Sequence, residues 1–158
     1  MTTEGREKLL QLAGAALNGS EAEETEVILA AGESFLTRFA RNRIHQNVGT
    51  QSASAIVRTI TDQRVGVAQA DTLEESVLTT LVERAQGIAA ARPPLEDFKG
   101  LPGPRKLRPV DAWDEVTARC SPDERAEFVE ELVQRARRRN AEAAGLVETR
   151  TGELLVAN

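Results

Sequence analysis

The fold of this chain is decided by residues 35–70, which read FLTRFARNRIHQNVGTQSASAIVRTITDQRVGVAQA. Residues 35–40 and 44–48 have the alternating side chains of strands, and the polar run Arg41-Asn42-Arg43 between them predicts a kink or a tight turn. Residues 50–60 are rich in Ser, Thr and β-branched side chains and should pair with residues 65–70 across a short turn. The centre of the chain is therefore predicted to be an antiparallel meander.

Two elements are predicted before the meander. Apolar side chains recur at three- and four-residue spacing through residues 4–18, and Asn18-Gly19 supplies a left-handed stop, so this segment should be an amphipathic helix. Residues 27–31, VILAA, are too few for a stable helix and are followed by Gly32, which favours a short buried strand.

A second helix is predicted after the meander. Thr72 and Glu75 have the spacing of a capping box, and apolar side chains fall on one face of residues 77–89. The pair Pro93-Pro94 should end this helix, because proline lacks an amide hydrogen and disfavours helix in the residue before it. Five prolines and two glycines within residues 92–109 then predict an extended strap without regular structure.

A third helix and a hairpin are predicted at the end of the sequence. The helix should begin at Ser121-Pro122, where serine caps and proline suits the first helical position, and should end near Ala144. Its apolar positions include Phe128 and Leu132 as well as the valine that follows each of them. The closing hairpin is predicted to turn at residues 150–152, which end in glycine.

This order of elements predicts an α+β fold, with a mainly antiparallel β-sheet and helices packed on one face. Residues 1–92 would form an α-β-α unit, residues 93–112 a proline-rich strap, and residues 113–158 a helix with the hairpin. Because aromatic residues make up 3% of the sequence and tyrosine is absent, the core should be built from aliphatic side chains.

Charge and composition argue against several classes of protein. The formal net charge is −5 and the sequence pI is about 5.1, which disfavours a nucleic-acid binder. No apolar run approaches the roughly 20 residues of a membrane span. The N-terminus has no signal-peptide pattern, and the single Cys120 cannot form an internal disulfide. We therefore expect a cytoplasmic protein without membrane or nucleic-acid partners.

The sequence contains no complete catalytic or metal-binding motif. It has one histidine and one cysteine, whereas a zinc site needs three or four converging ligands, and it lacks the glycine-rich phosphate loops and the nucleophile elbow. His45 lies alone on a predicted strand, where a structural or surface role is the commoner one. Cys120 precedes a helix start but has no histidine near it in sequence. We predict no catalytic residue and no metal ligand in this chain.

Several segments together resemble one known family. Residues 36–48 (LTRFARNRIHQNV), 56–60 (IVRTI) and 64–68 (RVGVA) resemble the N-terminal domain of the TldD/PmbA (TldE) family. Residues 85–89 (AQGIA) and the closing residues 152–158 (GELLVAN) follow in the family's order. The resemblance covers nearly the whole chain and is most specific at residues 38–46.

The resemblance implies part of a cytoplasmic metallopeptidase whose subunits pair as homo- or heterodimers and degrade or trim unfolded peptides. In the TldD branch the zinc motif belongs to a C-terminal domain that these residues do not include, so no metal ligand is carried over, and the PmbA branch lacks that motif. We therefore expect an N-terminal domain without zinc of its own, although zinc is possible in the full-length protein.

We expect the sheet to help enclose an unfolded peptide and to offer a strand edge near residues 50–60 to it. Arg38, Asn42 and His45 are the candidate peptide contacts. The alternative is a free-standing interaction module that binds a protein partner such as a topoisomerase, because older labels describe family members as modulators of DNA gyrase. A small enzyme that uses His45 or Cys120 is a third hypothesis.

Overall fold

A computed structural model describes residues 5–106, 108 and 110–158. Four strands of the described chain form one antiparallel sheet in the order β3-β2-β1-β4, and helices pack on it. The predicted α+β class with a mainly antiparallel sheet is therefore confirmed. In chain order the elements are α1 (Arg6–Asn18), β1 (Glu24–Ala40), β2 (Arg43–Thr61), β3 (Arg64–Ala70), α2 (Glu75–Ala90), α3 (Glu115–Arg119), α4 (Pro122–Arg137) and β4 (Gly145–Ala157).

Two tight turns without glycine join the first three strands. Arg41-Asn42 connects β1 to β2, and Asp62-Gln63 connects β2 to β3; all four residues have φ between 50° and 58°. Positive φ at both central residues is typical of the type I′ turn, whose twist matches that of paired strands. The sequence predicted either a kink or a tight turn at residues 41–43, and the structure has a tight turn there.

The first two strands are longer than predicted. β1 has 17 residues and β2 has 19, so the predicted breaks at Gly32 and between residues 48 and 50 are wrong. Burial alternates through Gly32 from Ala31 to Glu33. Hydrogen bonding to neighbouring strands outweighs the roughly 0.5–1 kcal/mol that glycine costs inside a strand, and local sequence does not reveal those neighbours.

The predicted closing hairpin is also wrong, because β4 runs unbroken through residues 150–152. Gly152 lies beside β1, where an added Cβ would be 3.5 Å from the carbonyl oxygen of Ala31. Pairing with β1, which is distant in sequence, therefore keeps this segment extended where its own glycine favours a turn.

The helix boundaries confirm one predicted cap and correct another. At α4 the hydroxyl of Ser121 accepts from the amide of Glu124 at 3.1 Å, and the Glu124 carboxylate accepts from the amide of Ser121 at 2.7 Å. The capping box predicted at Thr72 is wrong, because α2 begins at Glu75 and Thr72 accepts instead from the amide of Glu74 at 3.3 Å. The short helix α3 was not predicted, and α4 ends at Arg137, before Ala144.

The chain divides into two compact units. The first contains the described residues of Met1–Ala31, Ser52–Arg108 and Gly152–Asn158, and the second contains those of Gly32–Gln51 and Pro109–Thr151. The buried core of the first unit is aliphatic, as predicted. It includes Leu9, Leu12, Ala13, Val27, Leu29, Val57, Leu78, Leu81, Val82 and Ala85.

Helix α2 lies directly on β3 at Gly66. An added Cβ there would come within 1.9 Å of the carbonyl oxygen of Ala85 and 2.5 Å of the backbone nitrogen of Ala89. Glycine is therefore needed at this position for close approach between helix and strand, since any side chain would have to displace helix backbone.

The second unit has a smaller core in which one charged side chain is buried. Phe39, Val129 and Val133 pack together, and Arg125 is 1% exposed. The Arg125 guanidinium lies 5.4 Å from the ring centre of Phe35 and donates to the carbonyl of Cys120 at 2.7 Å. Cation–π attraction and hydrogen bonding together offset part of the cost of burying this charge.

We predict opposite stability changes for alanine at two glycines. Gly66→Ala should lower the free energy of unfolding by about 3 kcal/mol, because its Cβ would overlap α2 backbone. Gly87→Ala should raise it by about 1 kcal/mol, because Gly87 lies within α2 with open space around it and alanine is the better helix former. Urea denaturation of both variants measures the difference, and equal stabilities would contradict the packing described at Gly66.

Candidate peptide-binding edge

The outer edge of β2 is open along its first half. β3 pairs with β2 only from Ala55 to Thr61, and no other described strand lies on that side of β2. Residues 43–51, which we call the open segment, are all exposed. The backbone groups of this segment that point away from β1 are available to another extended chain.

The register of the β2–β3 hairpin indicates which amides point outward. Thr61 and Arg64 flank a two-residue turn and lie opposite each other, so they form a hydrogen-bonded pair. Because backbone direction alternates along a strand, every second residue back from Thr61 faces the same edge. Gln51 is one of these residues, and its amide lies beyond the end of β3.

Hydrogen bonds between side chains hold the open segment to β1. Each joins a residue of β1 to a residue of β2 and favours the extended conformation of the segment. The three bonds are Thr37 Oγ1 to Asn47 Oδ1 at 3.3 Å, Arg38 Nη1 to Gln46 Oε1 at 3.3 Å, and Gln51 Nε2 to Glu33 Oε1 at 3.0 Å.

The structure places two of the candidate contact residues on the surface of one hairpin. Arg38 is exposed on β1, and His45 is exposed within the open segment. Their contact with a peptide stays a prediction. The strand edge predicted near residues 50–60 needs correction, because β3 occupies that edge from Ala55 onward; the free part lies earlier in β2.

The third candidate, Asn42, fastens the turn to the chain that follows α4. Its Oδ1 accepts from the amide of Ala143 at 2.8 Å, and its Nδ2 donates to the carbonyl of Ala141 at 3.0 Å. Its own carbonyl accepts from Arg137 at 2.9 Å. Sequence reasoning missed this arrangement because the partners lie about a hundred positions away, although Asn at a positive-φ turn position was a visible clue.

The carboxylate of Glu148, in the second unit, makes structural contacts. Glu148 accepts from Arg150 at 2.8 Å and 2.9 Å and from the hydroxyl of Ser34 at 2.5 Å. The hydrogen bonds from Arg150, and then the one from Ser34, lower the pKa of Glu148 below its usual value. Glu148 is therefore ionised at neutral pH and holds β4 beside β1.

The described residues offer neither a metal site nor a membrane-spanning helix. No group of three or more His, Cys, Asp or Glu residues is arranged to hold a metal ion in the part of the chain that the structure describes. Each helix of the described residues is too short or too polar to span a bilayer. What the open segment offers chemically is main-chain hydrogen bonding.

Comparison with known proteins finds similarity in structure. The chain matches TldE from Thermococcus kodakarensis with a TM-score of 0.77 and 23% identity, over 94% of this chain and 34% of that one. Candidate modulators of DNA gyrase match from Thermotoga maritima (TM-score 0.74, 12% identity, 94% and 35% covered) and Bacteroides thetaiotaomicron (0.72, 14%, 98% and 37%). No protein-family model and no curated protein sequence matches the chain.

The fold is therefore that of a segment of TldE and of candidate DNA gyrase modulators. The resemblance to the TldD/PmbA family that the sequence showed is confirmed at the level of the fold. The chain spans about a third of the length of the solved structures that it matches.

We predict that Asn42→Gly weakens the attachment of residues 138–144 while keeping the turn. Glycine accepts the positive φ of this position, so the loss is confined to the two side-chain hydrogen bonds, which contribute about 1–2 kcal/mol together. Limited proteolysis should cut the variant between α4 and β4 faster than the wild-type chain. Unchanged cleavage there would show that Asn42 does not hold this segment.

Proposed function

We propose that this chain is a non-catalytic N-terminal domain of a TldD/PmbA-type cytoplasmic metallopeptidase. In this proposal the domain helps enclose an unfolded peptide substrate and takes part in subunit pairing. Zinc and catalysis belong to a C-terminal domain, and no residue of this chain is assigned to either.

Two observations from different sources support the proposal. The first is the shared fold with TldE over 94% of the chain, together with the family-like residues 36–48. The second, which carries the proposal, is the open segment of β2, where nine consecutive residues, 43–51, are exposed along an unpaired strand edge.

An open strand edge suits an unfolded substrate for a physical reason. Main-chain hydrogen bonds to an added strand depend little on the side chains of that strand, so binding tolerates many sequences. The side chains of Ile44 and Val48 are 41% and 37% exposed and would add apolar contacts beside the backbone pairing.

Hydrogen exchange with and without a reduced and alkylated, unfolded polypeptide tests this proposal. Amides of the open segment should exchange more slowly when the polypeptide is bound, whereas residues 55–61, already paired with β3, should not change. Equal exchange of the open segment in both samples would contradict peptide binding at this edge.

A matched pair of variants separates the contribution of the Gln51 backbone amide to peptide binding from that of the Gln51 side chain. Gln51→Pro and Gln51→Ala both lose the hydrogen bond to Glu33, but only the proline variant also loses the outward amide. We expect Gln51→Ala to keep the peptide-dependent protection and Gln51→Pro to lose it. Circular dichroism of both variants checks that the fold is retained.

The free-standing interaction module remains the alternative. The exposed apolar side chains of α4, Phe128 and Leu132, favour a surface that meets another protein. The intact mass and zinc content of the native gene product distinguish the two proposals. A native mass well above 17.2 kDa with bound zinc is expected for a peptidase of the TldD branch. The same high mass without zinc is expected for a PmbA-like partner. A native mass of 17.2 kDa favours the free-standing module.

A further inference from the structure

The outward side of α4 carries an apolar pair that the second unit does not bury. Phe128 is 58% exposed and Leu132 is 47% exposed, although Val129 and Val133 beside them are each 1% exposed. All four are apolar positions of the predicted helix, but only the two valines are buried. The apolar stripe of this helix is therefore wider than the core that it covers.

Helix α3 extends the same surface. Val116 of α3 is 79% exposed, and together with Cys120 and Phe128 it lines a shallow cavity of about 210 Å³. Glu124, Glu127 and Glu131 complete the rim. An apolar centre with a charged rim is the usual composition of a protein–protein interface.

The charges along α4 are separated into two halves. Its first ten residues include five exposed acids, and exposed cations follow in its last turn and just after it. On the stripe that holds Phe128 and Leu132, a second α4 laid antiparallel would place Glu124 near Arg135 at both ends, whereas a parallel one would place like charges together. The acids are Asp123, Glu124, Glu127, Glu130 and Glu131, and the cations are Arg135, Arg137, Arg138 and Arg139.

We propose that the outer face of α4 binds the same face of a second copy of this chain, in an antiparallel pair about a two-fold axis that passes between Phe128 and Leu132. The proposal rests on the subunit pairing in the proposed function and names the surface responsible.

The spacing along α4 fits this axis. Glu124, Phe128, Leu132 and Arg135 follow one another at three- or four-residue intervals, so they lie along one stripe of the helix. With the axis midway between Phe128 and Leu132, Phe128 lies opposite Leu132 of the second copy, and the symmetry repeats that contact once. Glu124 then falls opposite residues 135–136 of the second copy, within reach of Arg135.

Sedimentation velocity at increasing protein concentration tests the proposal on the 158-residue chain. The wild-type chain should form dimers, and the double variant Phe128→Ser/Leu132→Ser should raise the dimer Kd at least about tenfold, because both apolar layers are lost. Leu10→Ser is the matched control, since Leu10 is 50% exposed on α1 and lies outside the proposed interface.

A charge reversal tests the antiparallel register. Glu124→Arg and Arg135→Glu should each weaken the dimer, and the combined variant should restore it, because each reversed charge meets its reversed partner across the axis. Arg135 also lies 3.7 Å from Glu131 within its own helix, but both side chains are exposed, so that contact adds little.

Two results would overturn the inference: a wild-type chain that stays monomeric throughout the concentration series, or an α4 double variant that dimerises like wild type. The outcome is separable from that of the proposed function. Peptide-dependent protection of the open segment is measured on the same samples, so loss of dimers with protection retained, or the reverse, shows which proposal fails.

Discussion

The pairing of β1 with β2 positions the side chains that build both cores of the described chain. β1 contributes Val27 and Leu29 to the aliphatic core of the first unit and Phe39 to the core of the second. Because side chains alternate between the two faces of a strand, a slip of one residue would turn all three away from their cores. The ion pair between Glu26 and Arg58, at 2.8 Å, and the hydrogen bonds along the open segment favour a single register.

Polar side chains in the second unit serve mainly to hold structure together. Arg125 is buried against Phe35, Asn42 attaches the chain after α4, and Glu148 joins Ser34 to Arg150. Along residues 43–51 of β2, the outward backbone groups and the exposed side chains remain available. Main-chain pairing at such an edge depends little on the sequence of the added strand, which is the property that the proposed function requires.

Much of the fold could be predicted from short-range patterns. The strands of the meander, the turn before β3, the buried face of α2 and the capping box at Ser121 each depend on residues that are close in sequence. The predictions that failed depend on distant partners. Residues 150–152 resemble a turn, yet β1 pairs with them, and the apolar pattern of α4 does not distinguish exposed Phe128 from buried Val129 and Val133. The candidate contacts Arg38 and His45 lie on the surface, whereas the hydrogen bonds of Asn42 involve residues 137–143.

The α+β class, the aliphatic core and the resemblance to the TldD/PmbA family could be inferred from the residues alone, because they depend on composition, periodicity and local motifs. The continuity of β1, β2 and β4, the position of the open edge at residues 43–51 and the exposure of one face of α4 come from contacts between distant segments. Whether a strand continues, and whether a side chain is exposed, depends on which distant segment supplies the hydrogen bonds or apolar contacts beside it. Those neighbours are set by the packing of the whole chain.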